Sequence, residues 1–360
     1  MKKYWKLHVN TTKGRYRKDE VLCDELRSII SRSVQKQLVA DVPVGCFLSG
    51  GIDSSIIAYE GNKYNPNIHI YTIGFKEKKY DESQYVNMMV QKYALNCTTQ
   101  ILNHQDVDSI KNRLRVWYDE PFADTSAYPS YIVSKLAKQD VKVVLTGDGG
   151  DELFGGYNRY RWFADTYNGK CIDSEIVSKV GERIGVGKYL SSKNMQRFIN
   201  TGLDNYLPYI SITEKSAVET YRSQWKISKD YDPYWYFKKY YKRELPIITR
   251  VRYLDFKTYL PGDILTKVDR VSMANSLEAR VPFLGREVIE FAFSLSEEEC
   301  CNSCMLKRIL KAAYEDAIPS RILYRKKRGF SVPPNYFAAR QKKIPITCDR
   351  LNQEWKELAT

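Results

Sequence analysis

Two short, largely apolar runs each end in a glycine-rich turn, and this pairing limits the fold more than any other feature. Val44-Gly45-Cys46-Phe47-Leu48 leads into Ser49-Gly50-Gly51-Ile52-Asp53-Ser54-Ser55, and Val141-Lys142-Val143-Val144-Leu145 leads into Thr146-Gly147-Asp148-Gly149-Gly150-Asp151-Glu152. The first turn restarts at once as an apolar helical pattern, Ile56-Ile57-Ala58-Tyr59. A strand that passes through glycine and serine into a helix is built to hold an anion. Glycine lets backbone N–H groups approach it, and the helix N-terminus adds partial positive charge.

Asp53 is the odd member of the first turn. A carboxylate beside phosphates is tolerable when a metal ion lies between them. The second loop carries Asp148, Asp151 and Glu152, so it too needs a cation or a cationic substrate group to offset it, and Asp53 and Asp151 are candidates to share one magnesium ion. Neither the Gly-x-x-x-x-Gly-Lys-Ser/Thr spacing nor Gly-x-Gly-x-x-Gly occurs in the chain.

The surrounding periodicity supplies the frame. Residues 22–39 repeat apolar side chains at three- and four-residue steps, which predicts an amphipathic helix. Further strands are predicted at Ile68–Ile73 and near Thr98–Leu102, with a helix between them that places Val86, Met89, Val90 and Tyr93 on one face. Strands alternating with helices imply an α/β fold with a mostly parallel sheet covered on both sides and ligands at the strands' carboxyl ends. Beyond about residue 152, aromatic and basic helical patterns replace the β-like runs.

Composition removes several classes. No apolar run approaches the ~20 residues that span a bilayer, and no signal-peptide core follows the N-terminus, so a cytoplasmic setting without membrane attachment is expected. The 8 cysteines are mostly scattered and read as reduced thiols. Cys300-Cys301-Asn302-Ser303-Cys304 contains Cys-x-x-Cys, but with 3 histidines in the whole chain, none nearby, it reads as ordinary thiols. The net charge of +14 is spread along the chain, which favours a solvated surface over a nucleic-acid footprint.

The Ser-Gly-Gly-x-Asp-Ser turn resembles the pyrophosphate loop of the PP-loop ATP pyrophosphatases. Further segments appear in family order: Asp41-Val42-Pro43-Val44-Gly45, Asp119-Glu120-Pro121-Phe122-Ala123-Asp124, the Thr146–Tyr157 loop, Glu278-Ala279-Arg280-Val281-Pro282-Phe283-Leu284, and Arg325-Lys326-Lys327-Arg328-Gly329-Phe330-Ser331. Together these resemble the synthetase domain of the asparagine synthetase family from about residue 19 to residue 337.

That resemblance implies a PP-loop core at 19–165, a helical substrate-binding part of the same domain at 166–337, a linker remnant at 1–18 and a tail at 338–360. It implies that Leu48, Ile73, Thr146 and Gly147 hold the adenosine of ATP, and that Ser49, Gly50, Gly51, Asp53 and Ser54 hold pyrophosphate and Mg2+. Asp148 would match the acidic position tied to acyl-adenylate formation and Asp151 a metal or amine ligand. Lys327 would match the lysine that offsets phosphate charge. An ordinary surface role for Lys327, within a basic run, is the competing reading.

The implied reaction activates the aspartate side-chain carboxylate as acyl-AMP, releases pyrophosphate and transfers the acyl group to ammonia. Three alternatives stay open: amidation of another carboxylate, for example a sugar acid in surface polysaccharide synthesis; a PP-loop activity on transfer RNA; and a nucleotide-binding remnant without activity, although such a remnant is expected to have lost Asp53, Asp151 or Lys327 and all three are present. Relatives usually begin with a glutaminase domain bearing an N-terminal cysteine, whereas Lys2 stands second here and Cys23 is the first cysteine. Free ammonia or a separate glutaminase subunit is therefore the expected nitrogen source, and a homodimer is compatible with the resemblance.

Overall fold

The computed structural model describes residues 4–167 and 202–336, apart from residues 15, 121, 123, 208–209, 211–221, 223–225, 229, 302–303, 328, 330–331 and 334–335. The tail expected at 338–360 and much of the expected helical part lie outside the described residues.

Five parallel strands form one sheet in the order β3-β2-β1-β4-β5. They are β1 (Val44–Phe47), β2 (His69–Phe75), β3 (Asn96–Leu102), β4 (Val143–Leu145) and β5 (Glu278–Arg280). The helices α1 (Asp19–Gln37), α2 (Ile52–Tyr64), α3 (Ser83–Tyr93), α4 (His104–Trp117) and α5 (Ala127–Ala137) connect and cover them. The first four strands and helices α1 and α3 fall where apolar periodicity predicts them, with boundaries shifted by up to three residues.

The β5 strand is the difference, because no strand is expected beyond β4. It spans three residues, two of them charged, and sits at the sheet edge, where one side needs no apolar partner. Its pairing is set by register with the buried neighbour: Val144 lies opposite Ala279, and Leu145 opposite Arg280. The N–H of Thr146 then donates to the Arg280 carbonyl at 2.8 Å, which extends the pairing into the acidic loop.

Alternation along the strands divides the core in two. Val44 and Cys46 in β1, Ile70 in β2, and Val143 and Leu145 in β4 face a cluster that includes α1, α2 and α3. Tyr71, Ile73, Phe75 and Val144 face the other cluster, with Val107 and Ile110 of α4, Tyr131 and Ile132 of α5, and Val271 of the helix Thr266–Met273. Both faces are buried, as a parallel sheet requires.

Chain order creates the functional edge. From β1 the chain moves outward through β2 to β3, then returns to place β4 on the other side of β1. The strand order therefore reverses between β1 and β4, and a crevice opens there at the carboxyl ends. The two glycine-rich loops flank this switch point.

The segment before α1 is tied down by polar contacts. Asn10 N–H donates to the Phe293 carbonyl at 2.8 Å, and the Arg17 guanidinium pairs with Glu299 at 3.0 Å. Farther along, α6 (Gly150–Phe154) and α7 (Asn158–Tyr167) follow the acidic loop. Arg159 and Tyr160 of α7 and Tyr206 converge on the fully buried Asp255 of the helix Ile247–Lys257. This network ties α7 to that helix.

Candidate active site

The turn after β1 is held open by its own hydrogen bonds. Gly50 adopts φ +75°, a left-handed conformation that favours glycine. The Ser49 N–H donates to Ser54 Oγ at 3.2 Å, the two serine hydroxyls lie 3.1 Å apart, and Ser54 Oγ donates to the Gly51 carbonyl at 3.3 Å. Helix α2 begins at Ile52 with Gly51 as its cap residue and with no side chain capping its first N–H groups. An added Cβ on Gly51 would meet nothing nearer than 3.5 Å, so the mouth of the turn is clear. These uncapped donors are the sort an anion can accept.

The two loops touch through glycine. A Cβ on Gly147 would fall 2.6 Å from the Ser54 backbone nitrogen, and one on Gly150 would fall 2.4 Å from Asp53 Oδ1. Only hydrogen at both positions lets the acidic loop lie against the start of α2 and brings Asp53 and Asp151 to one place.

Between those two carboxylates stands a residue that the sequence reading missed. The Lys307 ammonium hydrogen-bonds Asp53 Oδ2 and lies 2.6 Å from Asp151 Oδ1. The Lys327 ammonium reaches Asp151 Oδ2 and sits 4.1 Å from the centre of the Tyr157 ring. Lys327 is thus an inward-facing member of the site, not a surface residue of a basic run. Neighbouring Arg325 donates to the Gly50 carbonyl at 3.1 Å and pairs with Glu82, so the same late segment also braces the first turn.

The charges shape one another. Burial opposes ionisation of Asp151, but Lys307 and Lys327 outweigh it and hold this carboxyl well below the usual range. Burial dominates at Asp53 and raises its pKa, with Lys307 only partly offsetting it. The Lys307 ammonium is buried, yet Asp151 and Asp53 hold it well above the ordinary lysine range. For Lys327 burial prevails and lowers the pKa despite Asp151.

A second polar group lines the same cavity. Lys267 donates to Asp124 Oδ2 at 2.8 Å, and its charge also acts on Asp148. Burial raises the Asp148 pKa. Asp263, within the π-helical turn Leu260–Leu265, is pushed up to about 6 by burial and by the nearby Asp124 charge. Neither Lys267 nor Asp263 carries a local motif; Asp124 does, inside the Asp119–Asp124 segment.

Asp53, Asp151, Lys307 and Lys327, together with Lys267, Asp124 and Asp148, line one cavity of about 800 Å³; Asp263 neighbours that lining without forming part of it. Leu48, Ser49, Gly51, Asp53, Ser54, Ile73, Thr146, Gly147, Asp148, Asp151 and Lys327 line this cavity; Gly50 alone among the expected residues does not. That volume lies in the range of sites for nucleotide-sized ligands. Buried Asp53 Oδ1 has no hydrogen-bond partner, and with Asp151 it offers the hard oxygen donors that magnesium takes. Among the described residues, no group of three or more His, Cys, Asp or Glu side chains is arranged to hold a metal by itself. Further oxygen ligands would have to come from phosphates or water.

The asparagine synthase family model matches residues 25–354. The chain belongs to the asparagine synthase family. It is 32% identical over 327 residues to a glutamine-hydrolyzing asparagine synthetase of Bacillus subtilis, covering 88% of this chain and 50% of that protein. A putative glutamine-hydrolyzing asparagine synthetase of Mycobacterium tuberculosis is 32% identical over 322 residues, covering 88% of this chain and 49% of its own length. Asparagine synthetase B of Escherichia coli is 23% identical over 331 residues, covering 86% and 44%. The chain thus spans about half the length of these curated relatives. The ligase class, ATP and magnesium expected from the resemblance agree with asparagine synthase membership.

No helix among the described residues is long and apolar enough to cross a membrane. None of the described cysteines forms a disulfide: Cys300 and Cys301 are buried, and Cys304 is exposed.

Proposed function

We propose that this chain is an ATP-dependent amide-forming ligase. It activates the aspartate side-chain carboxylate as acyl-AMP with release of pyrophosphate, and ammonia then displaces AMP to give asparagine. The observation that supports this reading best is the meeting of Asp53, Asp151, Lys307 and Lys327 at the sheet's switch point, beside a glycine turn with free backbone donors.

The chemistry joins anions. A carboxylate oxygen attacks the α-phosphorus of ATP, the bond to the β-phosphate oxygen breaks, and pyrophosphate leaves with that electron pair. Charge accumulates on the transferred and leaving phosphates, and fixed cations stabilise it. Lys327, already turned into the cavity, supplies one such charge, and Ser49, Gly51 and Ser54 supply neutral donors at the α2 N-terminus. Asp53 and Asp151 would hold Mg2+, which when bound polarises phosphoryl oxygens.

Leu48, Ile73, Thr146 and Gly147 form the wall assigned to adenosine. Lys267, Asp124 and Asp148, which line the same cavity, are the groups proposed to face the acid and its amine acceptor. Both steps need water kept out, because water also hydrolyses the acyl-adenylate. Ammonia, free or delivered by a glutaminase, is the proposed nitrogen donor.

The test is pyrophosphate release from ATP with aspartate and ammonium, then with glutamine, then with other carboxylic acids including sugar acids. Release that depends on aspartate and ammonium is expected, with asparagine and AMP as products. Absence of release with every acid would refute the ligase reading, and release with a sugar acid alone would replace aspartate as substrate.

A further inference from the structure

The placement of Lys307 is costly for the chain. Its backbone adopts φ 53°, ψ 37°, the left-handed conformation that non-glycine residues seldom take, immediately before the helix Arg308–Ala313. Its side chain, 6% exposed, crosses beneath Gly156 to reach the carboxylates. A Cβ on Gly156 would fall 2.2 Å from Lys307 Cε and 1.9 Å from Asp151 Oδ1. The backbone strain and the close passage both serve to bring one ammonium between two loops.

That ammonium occupies the position where oxygens of Asp53 and Asp151 would face a shared metal ion. With Lys307 and Lys327 present, two positive charges already balance the two carboxylates. A divalent cation arriving alone would meet a neutralised pair and would have to displace an ion-paired ammonium. A phosphate anion arriving alone would have to draw a lysine from a carboxylate. When both arrive, the carboxylates can pass to the metal while the ammonium passes to the phosphate, and the charges balance again.

We infer that Lys307 is a stand-in cation that holds the Asp53–Asp151 pair in the nucleotide-free protein and transfers to phosphate when metal and nucleotide bind together. This rests on the magnesium–ATP reading of the site and adds a positioning residue to it. It makes metal and phosphate binding mutually dependent, since each removes the partner that the other must displace, and such coupling is reciprocal. The Asp53–Asp151 pair is thereby held in place by the chain's own charge, and divalent cations are taken up mainly with their phosphate ligand.

The test is Mn2+ binding to the full chain by electron paramagnetic resonance and calorimetry, with and without inorganic pyrophosphate. The wild-type protein should bind Mn2+ alone weakly and bind Mn2+ with pyrophosphate at least about tenfold more tightly, in keeping with one charge-assisted hydrogen bond exchanged. Lys307→Met should bind Mn2+ alone about tenfold more tightly than wild type and lose most of the gain from pyrophosphate. Lys307→Arg should retain the weak binding of metal alone.

Unchanged or weaker Mn2+ binding by Lys307→Met, in a wild-type background that binds Mn2+ with pyrophosphate, overturns the inference and leaves the ligase reading intact. A wild-type protein that binds neither ligand overturns both. A structure of the wild-type protein with Mn2+ and pyrophosphate gives a check independent of any variant's folding: Lys307 Nζ should lie on a phosphate oxygen, and its retention between Asp53 and Asp151 overturns the transfer.

Discussion

Gly156 lies directly over the Lys307 side chain, and an added Cβ would fall 2.2 Å from Lys307 Cε. This glycine is therefore a clearance that lets a lysine from a distant helix enter the acidic loop. Gly156→Ala should displace the ammonium while leaving the sheet untouched. Pyrophosphate release should fall about 100-fold, as misplacements near 1 Å do in active sites. Thermal unfolding should move by only a few degrees, and full activity in this variant would show that the Lys307 position is not needed.

Gly147 is a clearance of another kind, because its missing Cβ would meet backbone. The contact is 2.6 Å to Ser54 N and 2.9 Å to the Asp53 carbonyl carbon, and neither atom can rotate away. Gly147→Ala should lower unfolding stability by about 1–3 kcal/mol, the usual cost of overpacking. Denaturant midpoints measure that loss, and nucleotide affinity should fall in parallel.

Lys327 and Asp53 carry the phosphate chemistry in the proposed reaction. Lys327→Ala should reduce pyrophosphate release by about 100- to 1,000-fold, the range for removing one preorganised charge donor. Asp151 keeps Lys307 as a partner in that variant, so circular dichroism and thermal unfolding should stay near wild type. Asp53→Ala should also abolish release, and an active Lys327→Ala protein would refute the role given to that lysine.

Asp263 gives a pH signature. Burial and the Asp124 charge raise its pKa from the ordinary 3.8 to about 6. The unfolded chain therefore releases this proton first as pH rises, the folded state binds more protons across that window, and stability falls between about pH 4 and 6. Asp263→Asn lacks this loss. The variant's stability relative to wild type should rise across that window and level off above it, by up to about 3 kcal/mol. A difference that stays constant from pH 4 to 7 would contradict the assignment.

Asp255 anchors the helical part. Its Oδ2 accepts from Arg159 Nη2 at 2.6 Å, Tyr160 at 2.7 Å and Tyr206 at 2.5 Å, all around a fully buried carboxylate. Asp255→Asn leaves the largely buried Arg159 guanidinium without its counter-charge and should destabilise the protein by about 3–5 kcal/mol. Chemical denaturation measures this, and a loss below 1 kcal/mol would mean that the network relaxes around the change.

Several of these residues differ in how visible they are in the amino-acid order. Val44–Phe47 and Val143–Leu145 are apolar on both faces because both faces of a parallel sheet are covered, so their strands can be read directly. Ser49–Ser54 and Thr146–Asp151 are legible for a related reason: a backbone that must approach an anion or another loop closely needs glycine at fixed spacing. Glu278–Arg280 had no such mark, since an edge strand of three residues takes its conformation from its neighbour's hydrogen bonds. Lys307 had none either. Lysine is common on surfaces, and nothing near it in sequence shows that it is buried.

The chain order by itself determined four of the sheet's five strands, the two loops at its carboxyl edge and their phosphate-directed chemistry, because strand periodicity and glycine spacing are local properties. Tertiary structure decided what stands between Asp53 and Asp151. That answer depends on a lysine more than 150 positions from either carboxylate, carried there by a strained turn and admitted by Gly156. A charge acts through space, and only folding sets that distance.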